Sequence, residues 1–353
     1  MFDIQSILIY ICLPIAAFFV AKYAERTDSK KAVWFIVVLF SLVAGLRATS
    51  VGIDTKTYDV VFDIVSNGTV KSMYGIEGSF IHICAVLLRI WDNNHFLFFV
   101  FALISHSLIL FRIWKDREFI SFRWSVFSYY IMFFAFSLNG MRQFVAVAIV
   151  IYATSFIKNG SYIKFSLAVV IASLFHISAF IGMAYVFFEL IFTKFYDTKR
   201  KMTIYLIALL GSMLGVSILV DFANRYFDYF SERASSLGFM LVIKVLLLAL
   251  SFAFVEKPKN DDERYFFGVN KWYYFVGLLL YSLNYVFLYV GRIGLYFYVF
   301  EASYIGYLFK TKNRTIWDVL YKAVYVLLLL YYLYSNITHG AHGEIPYLFF
   351  WQN

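Results

Sequence analysis

The strongest constraint in this sequence is a series of long apolar runs separated by short polar segments. A helix that crosses a bilayer needs about 20 mostly apolar residues. Runs that reach or approach this length are Ile4–Ala21, Ala32–Leu46, Phe96–Phe111, Trp124–Leu138, Phe144–Ile157, Met202–Val220, Leu237–Val255, Trp272–Val290, Ile293–Phe309 and Ile316–Tyr334. The pattern predicts an all-α polytopic integral membrane protein.

Composition supports this class and excludes others. Of the 353 residues, 62% are apolar and 15% are charged, against roughly 45–50% and about 25% in soluble domains. The net charge of +9 sits in short clusters between the runs, and no nucleic-acid-binding motif is present. Cys12 and Cys84 lie inside apolar runs, and His339, His342 and Glu344 have irregular spacing. We therefore predict no disulfide framework, no metal site and no cofactor.

Clusters of basic residues set the predicted orientation, because cytoplasmic loops of membrane proteins carry an excess of Lys and Arg. All six clusters are predicted inside. They are Lys22, Arg26, Lys30 and Lys31; Arg112, Lys115, Arg117 and Arg123; Lys158 and Lys164; Lys194, Lys199, Arg200 and Lys201; Lys257, Lys259, Arg264 and Lys271; and Lys310, Lys312 and Arg314.

Between two inside clusters the chain must cross an even number of times, and this rule decides two ambiguous segments. Phe80–Trp91 should not cross, so it is predicted as a re-entrant or interfacial helix on the outer side. Tyr162–Phe192 is too long for one ordinary span and should form a helical hairpin with its turn near His176. The prediction is about twelve crossings in a single transmembrane domain, 1–353, with both termini outside and an outer loop at 48–79.

Three arginines work against this orientation. Arg47, Arg142 and Arg292 each lie at the outer end of an apolar run, where a cation is costly if it enters hydrocarbon. Each could snorkel to the interface. Their occurrence on one side favours a shared anionic ligand, because guanidinium groups bind phosphate oxygens in a bidentate manner.

Other candidates lie on the same side. His176 is either a packing histidine or a group that exchanges a proton near neutral pH. In the outer loop, Asp54 or Thr55 is a suitable N-cap, and Tyr58 begins a helical apolar spacing typical of an amphipathic surface helix. Glu77 could cap a helix, pair with an arginine or bind a sugar.

Four segments together resemble the EpsG-like, Wzy-type polysaccharide polymerases. They are Gly45-Leu46-Arg47 with Val51-Gly52-Ile53-Asp54-Thr55 and Tyr58; Asn139-Gly-Met-Arg142-Gln143 with Ala146; His176-Ile-Ser178-Ala179; and Arg292-Ile-Gly-Leu-Tyr296-Phe297. Order and approximate spacing agree from Gly45 to Phe297. The chain departs from the family at Glu77-Gly78-Ser79-Phe80, where the glycine has moved relative to the carboxylate.

The resemblance implies a membrane-embedded glycosyltransferase of the bacterial cytoplasmic membrane. Such enzymes move a growing polysaccharide from undecaprenyl diphosphate onto the next lipid-linked repeat unit at the outer face, and a chain-length regulator is an implied partner. The expected roles are catalytic for His176, Asp54 and Arg142; diphosphate-binding for Arg47, Arg142 and Arg292; and sugar-binding or structural for Tyr58, Glu77, Gln143 and Tyr296.

Two other functions fit the same sequence features. A ligase, or another transferase with a lipid-phosphate sugar donor, would use the same arginines with a different acceptor. A flippase for lipid-linked oligosaccharide would place polar groups through the mid-membrane and usually shows internal repeats. The chain has no evident repeat, and its polar candidates gather at one face, with Lys244 as the exception.

Overall fold

The computed structural model describes residues 4–68, 75–186, 188–189, 239–254, 260–283, 290–312, 315–338, 340 and 343–352. These residues are almost entirely helical and, among them, none belongs to a β-strand longer than an isolated bridge. The chain divides into two compact units, Met1–Met183 with Val324–Asn353, and Ala184–Ala323.

The first unit is an up-and-down arrangement of helices. In chain order they are α1 (Ile4–Thr27, with a π-helical turn at Leu8–Cys12), α2 (Lys30–Gly45), α3 (Thr55–Ser66), α4 (Gly78–Ile90), α5 (Asn94–Lys115), α6 (Phe122–Asn139), α7 (Met141–Lys158) and α8 (Tyr162–Ser173).

Basic residues gather at one end of this unit. Arg117 pairs with Asp28 at 2.8 Å, and Arg123 pairs with Glu25 at 3.3 Å. The Lys158 ammonium lies 5.5 Å from the centre of the Phe119 ring. The clusters that follow α1, α5 and α7 therefore share one end, as the even-crossing argument requires. Which side of the membrane this end faces stays a prediction.

Two short helices connect α2 to α5. The 13 residues of α4 extend about 20 Å, less than the hydrocarbon thickness of about 30 Å. Helix α8, which is predicted to cross, is shorter still at 12 residues, so length does not test the crossing, and the non-crossing of Phe80–Trp91 stays a prediction. Helix α3 is amphipathic, as its spacing predicts, and buries Tyr58, Val61, Phe62 and Val65.

The predicted turn near His176 is present. Helix α8 ends at Ser173, and a 3₁₀-helix, Ile177–Met183, packs back against it. A Cβ on Gly182 would lie 2.8 Å from Cγ1 of Val150, so this position is tightly packed on α7. The end of the predicted hairpin, from residue 190, and the run Met202–Val220 lie outside the described residues.

The C-terminal tail docks onto the loop that follows α2. Ala48 N donates to Leu348 O at 2.8 Å, Phe350 N donates to Leu46 O at 2.9 Å, and Gly52 N donates to Gly343 O at 2.8 Å. Tyr10 of α1 donates its hydroxyl to Glu344 O at 3.0 Å. Both chain ends therefore lie at the end of the unit opposite the basic clusters.

The second unit contains α9 (Phe239–Phe254), α10 (Asp261–Leu283), α11 (Val290–Tyr298) and α12 (Phe300–Lys310), and α13 (Ile316–Thr338) begins in it. The apolar run Ile293–Phe309 is divided between α11 and α12 at Val299, whose own backbone angles, φ −58° and ψ −22°, are helical. Lys271, predicted in a cytoplasmic cluster, is buried within α10, and the side of the membrane on which it lies stays a prediction.

Four described helices are long and apolar enough to cross a membrane, namely Ile4–Thr27, Asn94–Lys115, Met141–Lys158 and Ile316–Thr338. The protein is therefore a polytopic, helical membrane protein. The figure of about twelve crossings stays a prediction.

The packing of α2 against α5 generates a stability prediction. A Cβ on Gly45 would lie 2.7 Å from Cβ and 2.9 Å from Cα of Phe99, whereas a Cβ on Gly78 would meet nothing within 4 Å. We expect Gly45→Ala to cost about 1–3 kcal/mol through overpacking and to lower the thermal midpoint of the purified protein in detergent.

Gly78→Ala is the matched control, because helix propensity favours alanine by about 1 kcal/mol and the site is open. Equal midpoints for the two variants would contradict the close approach of α2 to α5.

Candidate functional site

Arg47 is buried at the end of α2 and has three oxygen acceptors. Its guanidinium donates to the carbonyl of Ala44, to Thr55 Oγ1 at 3.3 Å and to the carbonyl of Leu138 at 3.0 Å. It also lies 4.4 Å from the centre of the Phe98 ring. Burial lowers the pKa of Arg47 to about 10, and the acceptors compensate its charge. The side chain thereby ties together the ends of α2, α3 and α6.

The loop that begins with Arg47 is fixed by the segment between α6 and α7. Asp54 N donates to Asn139 Oδ1 at 3.2 Å. Gly52 has a φ of +99°, and a Cβ there would lie 2.7 Å from Thr55 Oγ1 and 3.1 Å from Asn139 Oδ1. Only glycine fits this position, on both conformational and steric grounds. The first two sequence motifs are therefore packed directly against each other.

Glu77 joins the second motif to the third. One carboxylate oxygen of Glu77 pairs with the guanidinium of Arg142, and the other accepts from Ile177 N at 2.9 Å. Arg142 also donates to the carbonyl of Gly75 at 3.0 Å, and Ser79 Oγ donates to Leu174 O at 2.6 Å. The predicted site residues Glu77, Arg142 and His176 are thus brought together.

The setting of Arg142 favours an anion. Arg142 lies in the first turn of α7, and that turn contains no acidic residue. The N-terminal end of a helix carries a partial positive charge, so a cation there needs a negative partner. The Arg142 Nε is buried without a hydrogen-bond acceptor among the described residues. Phe80 and Tyr58 flank the guanidinium.

The two aromatic neighbours of Arg142 shape its surroundings. The Phe80 ring centre is 5.6 Å from the Arg142 guanidinium carbon. Burial raises the pKa of Tyr58, while the nearby Arg142 charge opposes that rise. Tyr58 therefore stays a neutral hydroxyl near the guanidinium, where it can donate or accept a hydrogen bond.

Ser178 orients the imidazole of His176. Ser178 N donates to His176 Nδ1 at 3.2 Å, and Ser178 Oγ lies 2.7 Å from the same nitrogen. A neutral imidazole whose Nδ1 accepts a hydrogen bond carries its proton on Nε2, and this tautomer is assigned from the Ser178 contact. In this arrangement Nε2 donates a hydrogen bond instead of accepting a proton.

Arg292 lies in the second unit, near the beginning of α11. Arg292 itself is exposed, whereas Tyr296 and Phe297 of the same motif are buried. A Cβ on Gly294 would lie 3.2 Å from Cβ of Leu280, so Gly294 allows α11 to approach α10. Within this motif Arg292 is the exposed charged side chain. Its proximity to Arg142 and His176 stays a prediction.

The two remaining candidates, Gln143 and Asp54, differ in how deeply their side chains are buried. Gln143 is buried in the first turn of α7, and the Asp54 carboxylate is half-buried. Sequence reasoning gave no role to Phe80, Asn139 or Ser178. Each stands next to or within a motif, but only the fold shows that Asn139 reaches Asp54 and that Phe80 reaches Arg142.

The chain matches the model of the EpsG family over residues 30–349 and belongs to that family. No curated protein and no solved structure matches the chain. Membership indicates a role of the polysaccharide-polymerase type.

The Glu77–Arg142 pair generates a prediction about coupling. The two side chains are only 20% and 11% exposed, respectively. We expect Glu77→Gln and Arg142→Gln each to lower the thermal midpoint, and the double variant to lose less than their sum. The coupling should correspond to roughly 0.5–3 kcal/mol, the range for residues in contact.

The exposed pair Asp28–Arg117, with side chains 69% and 37% exposed, is the matched control. Asp28→Asn and Arg117→Gln should combine almost additively, since exposed ion pairs contribute about 0–1 kcal/mol. Additive losses at Glu77 and Arg142 would show that their contact contributes nothing to the fold.

Proposed function

We propose that this member of the EpsG family is a polysaccharide polymerase. It transfers a growing chain from undecaprenyl diphosphate onto the next lipid-linked repeat unit at the outer face of the bacterial cytoplasmic membrane. The observation that carries the proposal is the Arg142 site. A cation at the positive end of a helix is balanced by one carboxylate, and segments from three family motifs converge there.

Arg142 and Arg292 are proposed to bind the diphosphate. In the reaction the bond between the donor sugar's anomeric carbon and a phosphate oxygen breaks, and the diphosphate leaves with the electron pair. The acceptor hydroxyl oxygen bonds to that carbon. Negative charge grows on the leaving group, so a fixed guanidinium stabilises the transition state more than the ground state.

Arg47 is assigned a different role from the one its sequence position suggested. A phosphate contact would require Arg47 to give up hydrogen bonds to Thr55 and to the carbonyl of Leu138. We propose that it holds the loop that carries Asp54 and Tyr58.

The acceptor hydroxyl must lose a proton, and the proposed acceptor for that proton is Asp54. Its backbone is fixed by Asn139, and no hydrogen bond or ion pair joins its carboxylate to another described residue. His176, with the tautomer given above, is proposed to donate a hydrogen bond from Nε2 to a phosphate or sugar oxygen. Glu77 orients Arg142 and the backbone at Ile177.

A ligase or another lipid-phosphate sugar transferase would use the same diphosphate site with a different acceptor. A lipid-linked oligosaccharide flippase would not need a base. Deletion of the gene in the source bacterium, followed by electrophoresis of the surface polysaccharide, separates these functions.

We expect the deletion to abolish the ladder above one repeat unit while single units still reach the surface. Loss of all surface polysaccharide with an intact lipid-linked polymer would favour a ligase. Repeat units trapped at the inner leaflet would favour a flippase.

A second prediction concerns the guanidinium geometry. Complementation of the deletion strain with Arg142→Lys or Arg292→Lys should restore little of the ladder, because lysine keeps the charge but loses the bidentate fork. We expect at least a tenfold loss of polymer at equal protein level in the membrane. Arg117→Lys, at an exposed ion pair away from the site, should complement fully.

Near-normal ladders with both site variants would leave only the interpretation that these arginines anchor helices at the membrane interface.

A further inference from the structure

A buried ion pair that the mechanism proposed above does not use lies in the second unit, which also carries Arg292. Lys244 of α9 pairs with Glu301 of α12 at 2.7 Å, and the two side chains are 1% and 0% exposed. Burying two charges is unfavourable unless they are paired and hydrogen-bonded, and a well-packed apolar pair is often as stable. Ionisable residues within membrane helices are therefore rare and usually functional.

The pair is part of a network that spans a break between two helices. Lys244 Nζ donates to the hydroxyl of Tyr298, the last residue of α11, and to Glu301 in the first turn of α12. Tyr274 of α10 donates its hydroxyl to the other Glu301 oxygen at 2.8 Å. One ammonium group therefore holds both helices that meet at Val299.

The helix held in this way is the one that carries Arg292. Arg292 precedes Tyr298 by six residues on α11, which corresponds to about 9 Å along the helix axis. A change in the direction of α11 at its fixed end would therefore move the guanidinium at its other end. Small displacements of this kind reduce catalysis strongly when a group must meet developing charge.

The approach of α10 shows that the position of Tyr298 is tightly defined. A Cβ on Gly277 would lie 2.5 Å from the backbone nitrogen and 2.6 Å from Cα of Tyr298. The Tyr281 ring stacks on the Tyr298 ring with centres 5.3 Å apart. The backbone at the end of α11 thus rests directly on α10, and the hydroxyl of Tyr298 accepts a hydrogen bond from Lys244.

We infer that Lys244 and Glu301 are positioning residues that set the direction of α11 and thereby place Arg292 for the diphosphate. The inference rests on the proposed function. It explains why the pair is charged. An apolar pair would fill the same space but would not hold the hydroxyl of Tyr298.

The first test is kinetic and uses the full-length protein with the lipid-linked repeat unit extracted from the deletion strain. Lys244→Met and Glu301→Gln should each lower kcat/KM at least tenfold, the same loss that we expect for Arg292→Lys. The loss of kcat/KM in each variant should not add to the loss in Arg292→Lys. Once the Arg292 side chain is misplaced, replacing it has little further effect. Losses that multiply in the double variants would overturn the inference.

The matched control is Tyr321→Phe. It removes the 2.7 Å hydrogen bond from the Tyr321 hydroxyl to the carbonyl of Leu247 and its 3.1 Å hydrogen bond with the Tyr304 hydroxyl. The hydrogen bonds that join Lys244 to Tyr298 and Glu301, and Tyr274 to Glu301, do not involve this hydroxyl. It should keep normal kinetics. Glu301→Gln retains the size of the side chain, so it decides the question if Lys244→Met does not accumulate in the membrane.

The second test is independent of activity. A nitroxide spin label attached through Arg292→Cys, with Cys12 and Cys84 replaced by alanine, reports the mobility of α11. We expect Lys244→Met and Glu301→Gln to increase this mobility and Tyr321→Phe to leave it unchanged. Unchanged mobility in the first two variants would overturn the inference.

The two tests separate the inference from the proposed function. If the extracted unit is not polymerised by the unmodified protein but the label becomes mobile, the proposed function fails and the positioning of α11 stands. If polymerisation proceeds and Lys244→Met leaves both kinetics and mobility unchanged, the positioning role fails alone.

Discussion

The arrangement of the first unit depends on the burial of one cation, Arg47. A buried guanidinium must find acceptors for its donors, and here they come from Ala44, Thr55 and Leu138, at the ends of three different helices. The chain between Arg47 and Thr55 is consequently held against the end of α6. That contact places Asn139 where it accepts from Asp54 N, and it sets the start of α7, where Arg142 lies.

Sequence periodicity and charge predicted the larger features well. Apolar runs and basic clusters fixed the alternation of helices in the first unit, since each depends on local composition. The rule that the chain crosses an even number of times between two inside clusters predicted that the segment of α4 does not cross and that the chain turns near His176. The docking of the tail through Leu348 and Phe350 was not predictable, because backbone hydrogen bonds between residues about 300 positions apart leave no pattern in the sequence.

The sequence predicted which residues belong to the site, but not which of them contact one another. Motif positions identified Arg142, His176 and Glu77, whereas the carboxylate's position between Arg142 and the Ile177 amide depends on how α4 meets the turn after α8. Glu77 is the N-cap residue of α4, yet its side chain makes no capping hydrogen bond. Its carboxylate instead contacts residues outside its own helix, Arg142 and the amide of Ile177.

The partners of the two first-unit arginines distinguish what each can do. Among the described residues no carboxylate pairs with Arg47, and its acceptors are backbone carbonyls and the Thr55 hydroxyl, which itself donates to Val51 O. An incoming phosphate would have to break a set of contacts that define the loop. Among the described residues Arg142 pairs with one carboxylate, through one oxygen of Glu77, and its Nε has no acceptor. A phosphate has the charge sign and the several oxygens that such a guanidinium can bind. Glu77 can therefore hold Arg142 in place while the guanidinium keeps a donor for a ligand, so the ligand-facing role falls to Arg142.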